Sequence, residues 1–260
     1  VESLERLRLQ EEVTMARQIQ LDLLPSAPPT TEAFVISAQS TPSRTVGGDF
    51  YDFITVSEKR LAVVIADASG KGMPAALMIA QIQAMVRSEV NNGSPISAML
   101  KNVNKQILRS TSAEKFATLF YGELDTADAR FCYANAGHNY PILVRRSGQV
   151  ELLKDGGPVI GAFPHMEYKS STVQLEPEDI LFLFTDGLSE ALNAEDHEYG
   201  EQRISDMLVR HRNKGPQEIV NEILNDMYTH DPSDPPRDDT TIIAIKMNDL
   251  LRSDGQARAF

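Results

Sequence analysis

The sequence predicts one α+β unit in which helices cover two packed, largely antiparallel β-sheets. Three observations support this fold class. Short strand patterns outnumber helix patterns, helix patterns occur in pairs between groups of strands, and turn residues separate many neighbouring strands by about eight to twelve residues. The chain has 260 residues, of which 42% are hydrophobic, so it can build a sizeable core.

The first 24 residues have the pattern of an amphipathic helix that Pro25 ends. Its apolar stripe recurs at steps of three and four residues and consists of Leu9, Val13, Ala16, Ile19 and Leu23. Such a stripe needs a surface that covers it, and two interpretations remain open. The helix packs on its own domain, or it is a linker that joins an upstream domain and dimerises.

Strand patterns dominate after this helix. The first group lies at 34–38, 50–56 and 61–67, the last being a continuous apolar run typical of a buried strand. Two helix patterns follow at 73–90 and 96–108. The second group of strand patterns lies at 117–124, 129–137, 140–146, 149–153, 171–175 and 179–186. Helix patterns at 201–212 and 216–229 precede a last strand at 240–247. We therefore divide the chain into an N-terminal linker or dimerisation helix (1–25), a folded domain (26–248) and a frayed tail (249–260).

Composition excludes several classes of protein. The formal net charge of −12 argues against nucleic acid as the main partner. The sequence has neither a continuous apolar stretch long enough for a transmembrane helix nor a recognisable secretory signal. The single cysteine, Cys132, cannot form an intrachain disulfide, which predicts a cytoplasmic setting.

Aspartates recur at the ends of hydrophobic elements. Asp49 opens a strand, Asp67 and Asp186 each close one, and the pair Asp238–Asp239 precedes the last strand. A single Asp beside Gly is usually a turn former or a helix cap. Several anionic groups at buried strand ends are costly unless they are paired, and a shared cation is the simplest way to hold them together.

The chemical types of the candidate ligands narrow the choice of metal ion. The candidates are all carboxylates, and neither Cys nor His occurs at zinc spacings, so the site suits Mg²⁺ or Mn²⁺. Ca²⁺ is disfavoured because the sequence lacks the Asp-rich loop with a distant Glu. Two such ions activate water and neutralise phosphoryl oxygens, which predicts phosphoester hydrolysis. The segment Gly70–Ala75 loosely matches a dinucleotide-binding loop, but Asp67 would repel the pyrophosphate there.

Six motifs, in order, resemble those of the bacterial SpoIIE/RsbU-type phosphatases, a branch of the metal-dependent type 2C (PPM) protein phosphatases. They are VGGDFYD (46–52), ADASGKGMPAALMIA (66–80), NAGHNYPILV (135–144), GGPVIG (156–161), FTDGLSEA (184–191) and RDDTTIIAI (237–245). Each motif is weak alone, whereas six in this order are highly specific. The resemblance runs from about residue 13 to residue 247.

The resemblance implies a β-sandwich of two antiparallel sheets flanked by helix pairs, with two Mn²⁺ or Mg²⁺ ions at one end. Asp49 and Asp67, with the backbone carbonyl of Ala68, would hold the first ion. Asp67 would also bind the second ion, which Asp186 and one residue of the last pair complete. We favour Asp238 as that ligand, with Asp239 as a neighbour that orients it.

Two more residues have expected roles. Arg44 lies five residues before Asp49, a spacing similar to that of the phosphate-binding arginine in the wider superfamily, and a guanidinium suits bidentate phosphate contact. A solvated loop arginine is the alternative. His138 could serve as a general acid, but we favour a buried, hydrogen-bonded structural histidine.

By resemblance, the protein hydrolyses phosphoserine or phosphothreonine on a regulatory protein, commonly a STAS-domain anti-sigma-factor antagonist. The first helix resembles the linker that in this branch follows a sensor or receiver domain and mediates homodimerisation. Two alternatives are kept: a catalytically silent binding module with the same fold, and a small-molecule phosphomonoesterase. No nucleic acid and no membrane segment are expected.

Overall fold

The computed structural model describes residues 2–111, 115–233 and 236–248. The segment predicted to be a frayed tail, 249–260, lies outside these ranges. The helices are α1 (Glu2–Leu23), α2 (Met73–Asn91), α3 (Ile96–Ser110), α4 (Asp186–Ser189), α5 (Glu201–His211) and α6 (Pro216–His230). The strands are β1 (Phe34–Thr41), β2 (Asp49–Ser57), β3 (Arg60–Ala68), β4 (Ala117–Asp125), β5 (Arg130–Ala136), β6 (Ile142–Val144), β7 (Val150–Leu152), β8 (Gly156–Gly157), β9 (Ser171–Gln174), β10 (Ile180–Phe184) and β11 (Thr240–Met247).

The strands form two sheets. Sheet I has the order β2-β3-β4-β5-β8, and β9 also pairs with β5. Sheet II has the order β1-β11-β10-β6-β7. All pairs are antiparallel except β5 with β8. The prediction of a mainly antiparallel, two-sheet α+β fold is therefore confirmed.

Three apolar layers hold the sandwich together. The inner faces of the two sheets meet in a central core that includes Ile65, Phe120, Leu183 and Ile243. Helices α2 and α3 bury their apolar faces on the outer side of sheet I, and α5 and α6 do the same on sheet II. Strands β3, β10 and β11 are covered on both faces, which explains their continuous apolar sequences.

The observed element bounds differ from the predicted ones in both sheets. Strand β1 extends to Thr41 because it pairs with β11 along its whole length. Strand β6 is only three residues long, and the two-residue strand β8 was not predicted. The prediction that Asp186 closes a strand was wrong, because β10 ends at Phe184 and Asp186 begins the short helix α4.

Helix α1 is attached to the sandwich near its C-terminal end. Gln83 of α2 donates a hydrogen bond to the Leu23 carbonyl (2.8 Å), and Leu24 packs against both the central core and the layer under α2. Several apolar side chains of α1 remain exposed, among them Leu7, Met15 and Ile19. Over the described ranges, the structure contains no helix with the length and apolarity needed to span a bilayer.

Candidate metal centre

Sheet I places two of the predicted aspartates side by side. Asp49 opens β2 and faces Asp67 near the end of β3, since the two are register partners in the antiparallel pair. Directly opposed side chains in such a pair lie close together. Each of the two carboxyl groups acts on the pKa of the other. The strand register therefore brings together two acids that lie 18 positions apart in the sequence.

Sheet II supplies the other acids at the same end of the sandwich. Asp186 begins α4 directly after β10, and Asp238 and Asp239 precede β11, the neighbour of β10. Gly187 makes this junction tight, because a Cβ placed on it would lie 1.9 Å from the Asp239 carbonyl oxygen. The charges of Asp186, Asp238 and Asp239 all act on Asp67. We call Asp49, Asp67, Asp186, Asp238 and Asp239 the acid cluster.

Burial and mutual repulsion change the protonation of this acid cluster. Burial, followed by repulsion from Asp186, Asp238 and Asp239, raises the pKa of Asp67 from 3.8 to about 8. Burial and the neighbouring Asp67 raise the pKa of Asp49 well above its ordinary value. Burial and Asp238 also raise the pKa of Asp186. A bound cation would favour the charged forms that burial disfavours.

Asp238 and Asp239, which precede β11, make different contacts. Asp238 is half exposed, and its Oδ2 accepts a hydrogen bond from Lys71 Nζ at 2.7 Å. Asp239 is buried and accepts hydrogen bonds from the backbone N–H groups of Ser43 and Gly48, both at 2.6 Å. Asp239 also donates its own N–H to Asp238 Oδ1. In this arrangement Asp239 fixes the loop that leads into β2, and Asp238 faces the rim of the acid cluster.

Thr185 connects the two sheets beneath the acid cluster. Its hydroxyl donates to Asp49 Oδ2 at 2.7 Å and accepts the Thr241 N–H at 2.9 Å. The residue is fully buried, so both hydrogen bonds are shielded from water. Thr185 is not among the predicted site residues, although its place directly before Asp186 in the FTDG motif was a usable signal.

The acid cluster fits a divalent cation by its chemistry. It offers hard carboxylate oxygens from both sheets, several of them buried and mutually repelling. In the part of the chain that the structure describes, however, no three acidic, histidine or cysteine side chains are oriented as a ready-made cage for an ion. Two acids face other partners: Asp238 pairs with Lys71, and Asp239 accepts backbone N–H groups. The individual ligand assignments, including the Ala68 carbonyl, stay predictions.

Arg44 lies at the rim of the acid cluster. It is exposed, and a Cβ placed on Gly72 would lie 4.0 Å from its Nη1. Lys71, next to Gly72, is also exposed and forms an ion pair with Asp238. The cationic side chains of Arg44 and Lys71 therefore flank the acid cluster, where an anionic substrate would approach.

His138 has the environment of a structural residue. It is 3% exposed, its Nδ1 lies 2.8 Å from Thr118 Oγ1, and its backbone N–H donates to Asn135 Oδ1. Burial lowers the pKa of His138 to about 3, so the imidazole is neutral at physiological pH. A neutral, buried imidazole is a poor general acid.

Known proteins place the chain in a family. The sequence model for "Stage II sporulation protein E (SpoIIE)" matches residues 57–248. The phosphoserine phosphatase RsbU of Bacillus subtilis (strain 168) is 30% identical over 245 residues, covering 92% of this chain and 70% of RsbU. Protein IcfG of Synechocystis sp. is 28% identical over 264 residues, covering 91% of this chain. The chain spans only 42% of IcfG.

Solved structures share the fold. The SiaA-PP2C domain of Pseudomonas aeruginosa superposes with a TM-score of 0.80 at 22% identity, covering 93% of this chain and 98% of that domain. RsbX in complex with magnesium gives a TM-score of 0.62 at 20% identity, covering 85% of this chain and 98% of RsbX. The two sheets, their helix pairs and the ordered motifs all agree with these comparisons, and the chain belongs to the SpoIIE family, the SpoIIE/RsbU-type branch of the PPM phosphatases.

Proposed function

We propose that this protein is a Mn²⁺- or Mg²⁺-dependent protein serine/threonine phosphatase. The observation that carries the proposal is the acid cluster, in which both sheets bring buried, mutually repelling aspartates to one end of the sandwich. Similarity to RsbU, named a phosphoserine phosphatase, supports the reaction, and the magnesium complex of RsbX supports the cofactor.

Each residue of the centre has a distinct task in this proposal. Asp49, Asp67, Asp186 and Asp238 hold the cations, with the Ala68 carbonyl as a further ligand. When bound, the cations supply an activated water and neutralise the phosphoryl oxygens. The hydroxyl of Thr185 orients the carboxylate of Asp49. Repulsion within the acid cluster makes the charged state of its carboxylates unfavourable when no cation is bound, and this repulsion favours the binding of cations.

Substrate phosphate would meet the cationic rim. Arg44 presents a guanidinium fork for two phosphoryl oxygens, and it is exposed enough to reach them. An Arg44→Lys variant keeps the charge and loses the fork, so we expect a higher KM for a phosphopeptide with kcat changed less. Equal KM in both proteins would show that Arg44 is a solvated loop residue.

The experiment for the reaction is hydrolysis of p-nitrophenyl phosphate with and without Mn²⁺. We expect turnover that requires Mn²⁺ and disappears in Asp67→Asn. The matched control is Asp206→Asn, which makes the same chemical change at an exposed position of α5. An unchanged rate in Asp67→Asn would refute the metal mechanism. Absence of metal-dependent turnover and of Mn²⁺ binding in the parent would favour a catalytically silent binding module.

The proposed substrate is a phosphorylated STAS-domain anti-sigma-factor antagonist. Membership of the SpoIIE family supports this choice over a metabolite. Rates on a phosphorylated STAS-domain protein and on free phosphometabolites separate the two classes. Faster hydrolysis of the metabolites would instead identify a small-molecule phosphomonoesterase.

We also propose that α1 links the domain to an upstream sensor or receiver domain and forms a homodimer contact in the cytoplasm. The exposed Leu7, Met15 and Ile19 support this second interpretation of the helix over packing on its own domain. Sedimentation should detect a dimer that Met15→Glu weakens. A monomer for the parent at high concentration would contradict the dimer.

A further inference from the structure

The linker helix contacts the acid cluster through one side chain. Gln20 Nε2 donates to the Gly47 carbonyl at 2.7 Å, and the Gly47 N–H donates to Gln20 Oε1 at 3.0 Å. The side-chain amide therefore pairs with both polar groups of one glycine, as a neighbouring strand would. Both bonds are partly buried and join residues 27 positions apart.

The residues after Gly47 belong to the acid cluster or hold it. The Gly48 N–H donates to Asp239 Oδ2, and Asp49 follows at once as the first residue of β2. A Cβ on Gly47 would lie 2.8 Å from Asp239 Oδ2, so the peptide that Gln20 holds is packed directly on that carboxylate. Moving this peptide moves two acids.

A small cavity lies between α1 and the acid cluster. Its volume is about 30 Å³, and its lining includes Gln20 and Leu21 of α1, Leu24, Asp49 and Asp239. The last turns of α1 therefore form part of the wall behind the acids.

From this contact we propose that Gln20 is a positioning residue for cation binding: its paired hydrogen bonds hold the Gly47 peptide so that Asp49 and Asp239 are set in place. The inference rests on the proposed metal-dependent function and adds a residue outside the folded domain to that site. Gln20 touches neither substrate nor cation. It acts through the backbone of Gly47.

The test compares Gln20→Met with Gln18→Met. Methionine matches the length of glutamine but makes neither hydrogen bond with Gly47. Gln18 lies on the same helix and is exposed. Its side chain donates a hydrogen bond to Asp22, so its replacement controls for the composition of the helix. Mn²⁺ affinity is measured by electron paramagnetic resonance. The KM and kcat for p-nitrophenyl phosphate are measured at saturating Mn²⁺. Hydrogen exchange of the Gly47 amide is measured by NMR in EDTA.

We expect Gln20→Met to bind Mn²⁺ about tenfold more weakly, because it loses both hydrogen bonds to Gly47. The KM and kcat should be restored at saturating Mn²⁺. The Gly47 amide should exchange faster in this variant, and Gln18→Met should match the parent in all three measurements. Equal Mn²⁺ affinity in Gln20→Met and the parent overturns this inference alone. A parent protein that binds no Mn²⁺ overturns the proposed function and this inference with it. Rapid exchange of the Gly47 amide in the parent overturns the contact itself.

Discussion

Replacing Asp67 by Asn should stabilise the cation-free protein while abolishing its activity. Burial and the surrounding aspartates raise the pKa of Asp67 from 3.8 to about 8, so the folded state holds a proton that the unfolded state releases. The free energy of unfolding therefore falls as pH rises from about 4 to about 8. Asparagine carries no charge, so the free energy of unfolding of the variant does not fall with pH at this position.

The magnitude follows from the pKa change. Full conversion of a rise from 3.8 to about 8 gives about 6 kcal/mol at pH 8. That figure is an upper bound, because the coupled acids Asp49 and Asp186 share the protonation and Asp67 is partly exposed. We expect a net gain of about 2 kcal/mol for Asp67→Asn at pH 8, and less than about 0.5 kcal/mol at pH 4.

The assay is urea denaturation in EDTA at pH 4, 6 and 8, followed by circular dichroism. Asp206→Asn is the control, because it removes an exposed charge outside the acid cluster. Added Mn²⁺ should reverse the order of stability, since it stabilises the parent and not the variant. Asp67→Asn no more stable than the parent at pH 8, or an equal gain at pH 4 and pH 8, would refute the reasoning.

Three further predictions concern residues around the acid cluster. Thr185→Val removes both hydrogen bonds of the hydroxyl and leaves the buried Thr241 N–H without its partner, so urea denaturation should show a loss of about 2–4 kcal/mol, while Thr185→Ser should lose less. Gly187→Ala forces a Cβ to within 1.9 Å of a backbone oxygen and should cost more than about 3 kcal/mol in the same assay, whereas Gly215→Ala, whose nearest contact is 3.7 Å, should stay within about 1 kcal/mol of the parent. His138, with its pKa lowered to about 3, should show no change of imidazole NMR shifts between pH 5 and pH 8; a midpoint inside that range would contradict a permanently neutral ring.

Apolar pattern alone predicted most of the fold. Strand 240–247 was predicted with its observed bounds, because both its faces are buried and every residue carries the signal. Short elements were predicted poorly: β8 consists of two glycines, and its pairing with β5 depends on a close approach that sequence does not show. Boundaries such as the end of β1 depend on the partner strand rather than on the residues themselves.

The sequence also predicted where the candidate site lies. Aspartates at element ends converge because antiparallel register and strand order bring those ends together, as for Asp49 and Asp67. Supporting residues were missed for a physical reason. Gln20 and Thr185 are common residue types whose roles come from hydrogen-bond partners far away in the chain: Gly47 for Gln20, and Asp49 and Thr241 for Thr185. The motif around Thr185 offered a local signal, whereas no local pattern distinguishes Gln20 from an ordinary helix residue.

The acid cluster takes its residues from both sheets of the sandwich, so the binding of ions depends on how far the chain has folded. Asp49 and Asp67 come from sheet I, whereas Asp186 begins α4, which follows β10 of sheet II. A chain with only sheet I folded would carry the proposed ligands of the first ion but would lack Asp186, which the second ion requires. Binding of the second ion during refolding should therefore require docking of the two sheets, so this binding would report completed assembly.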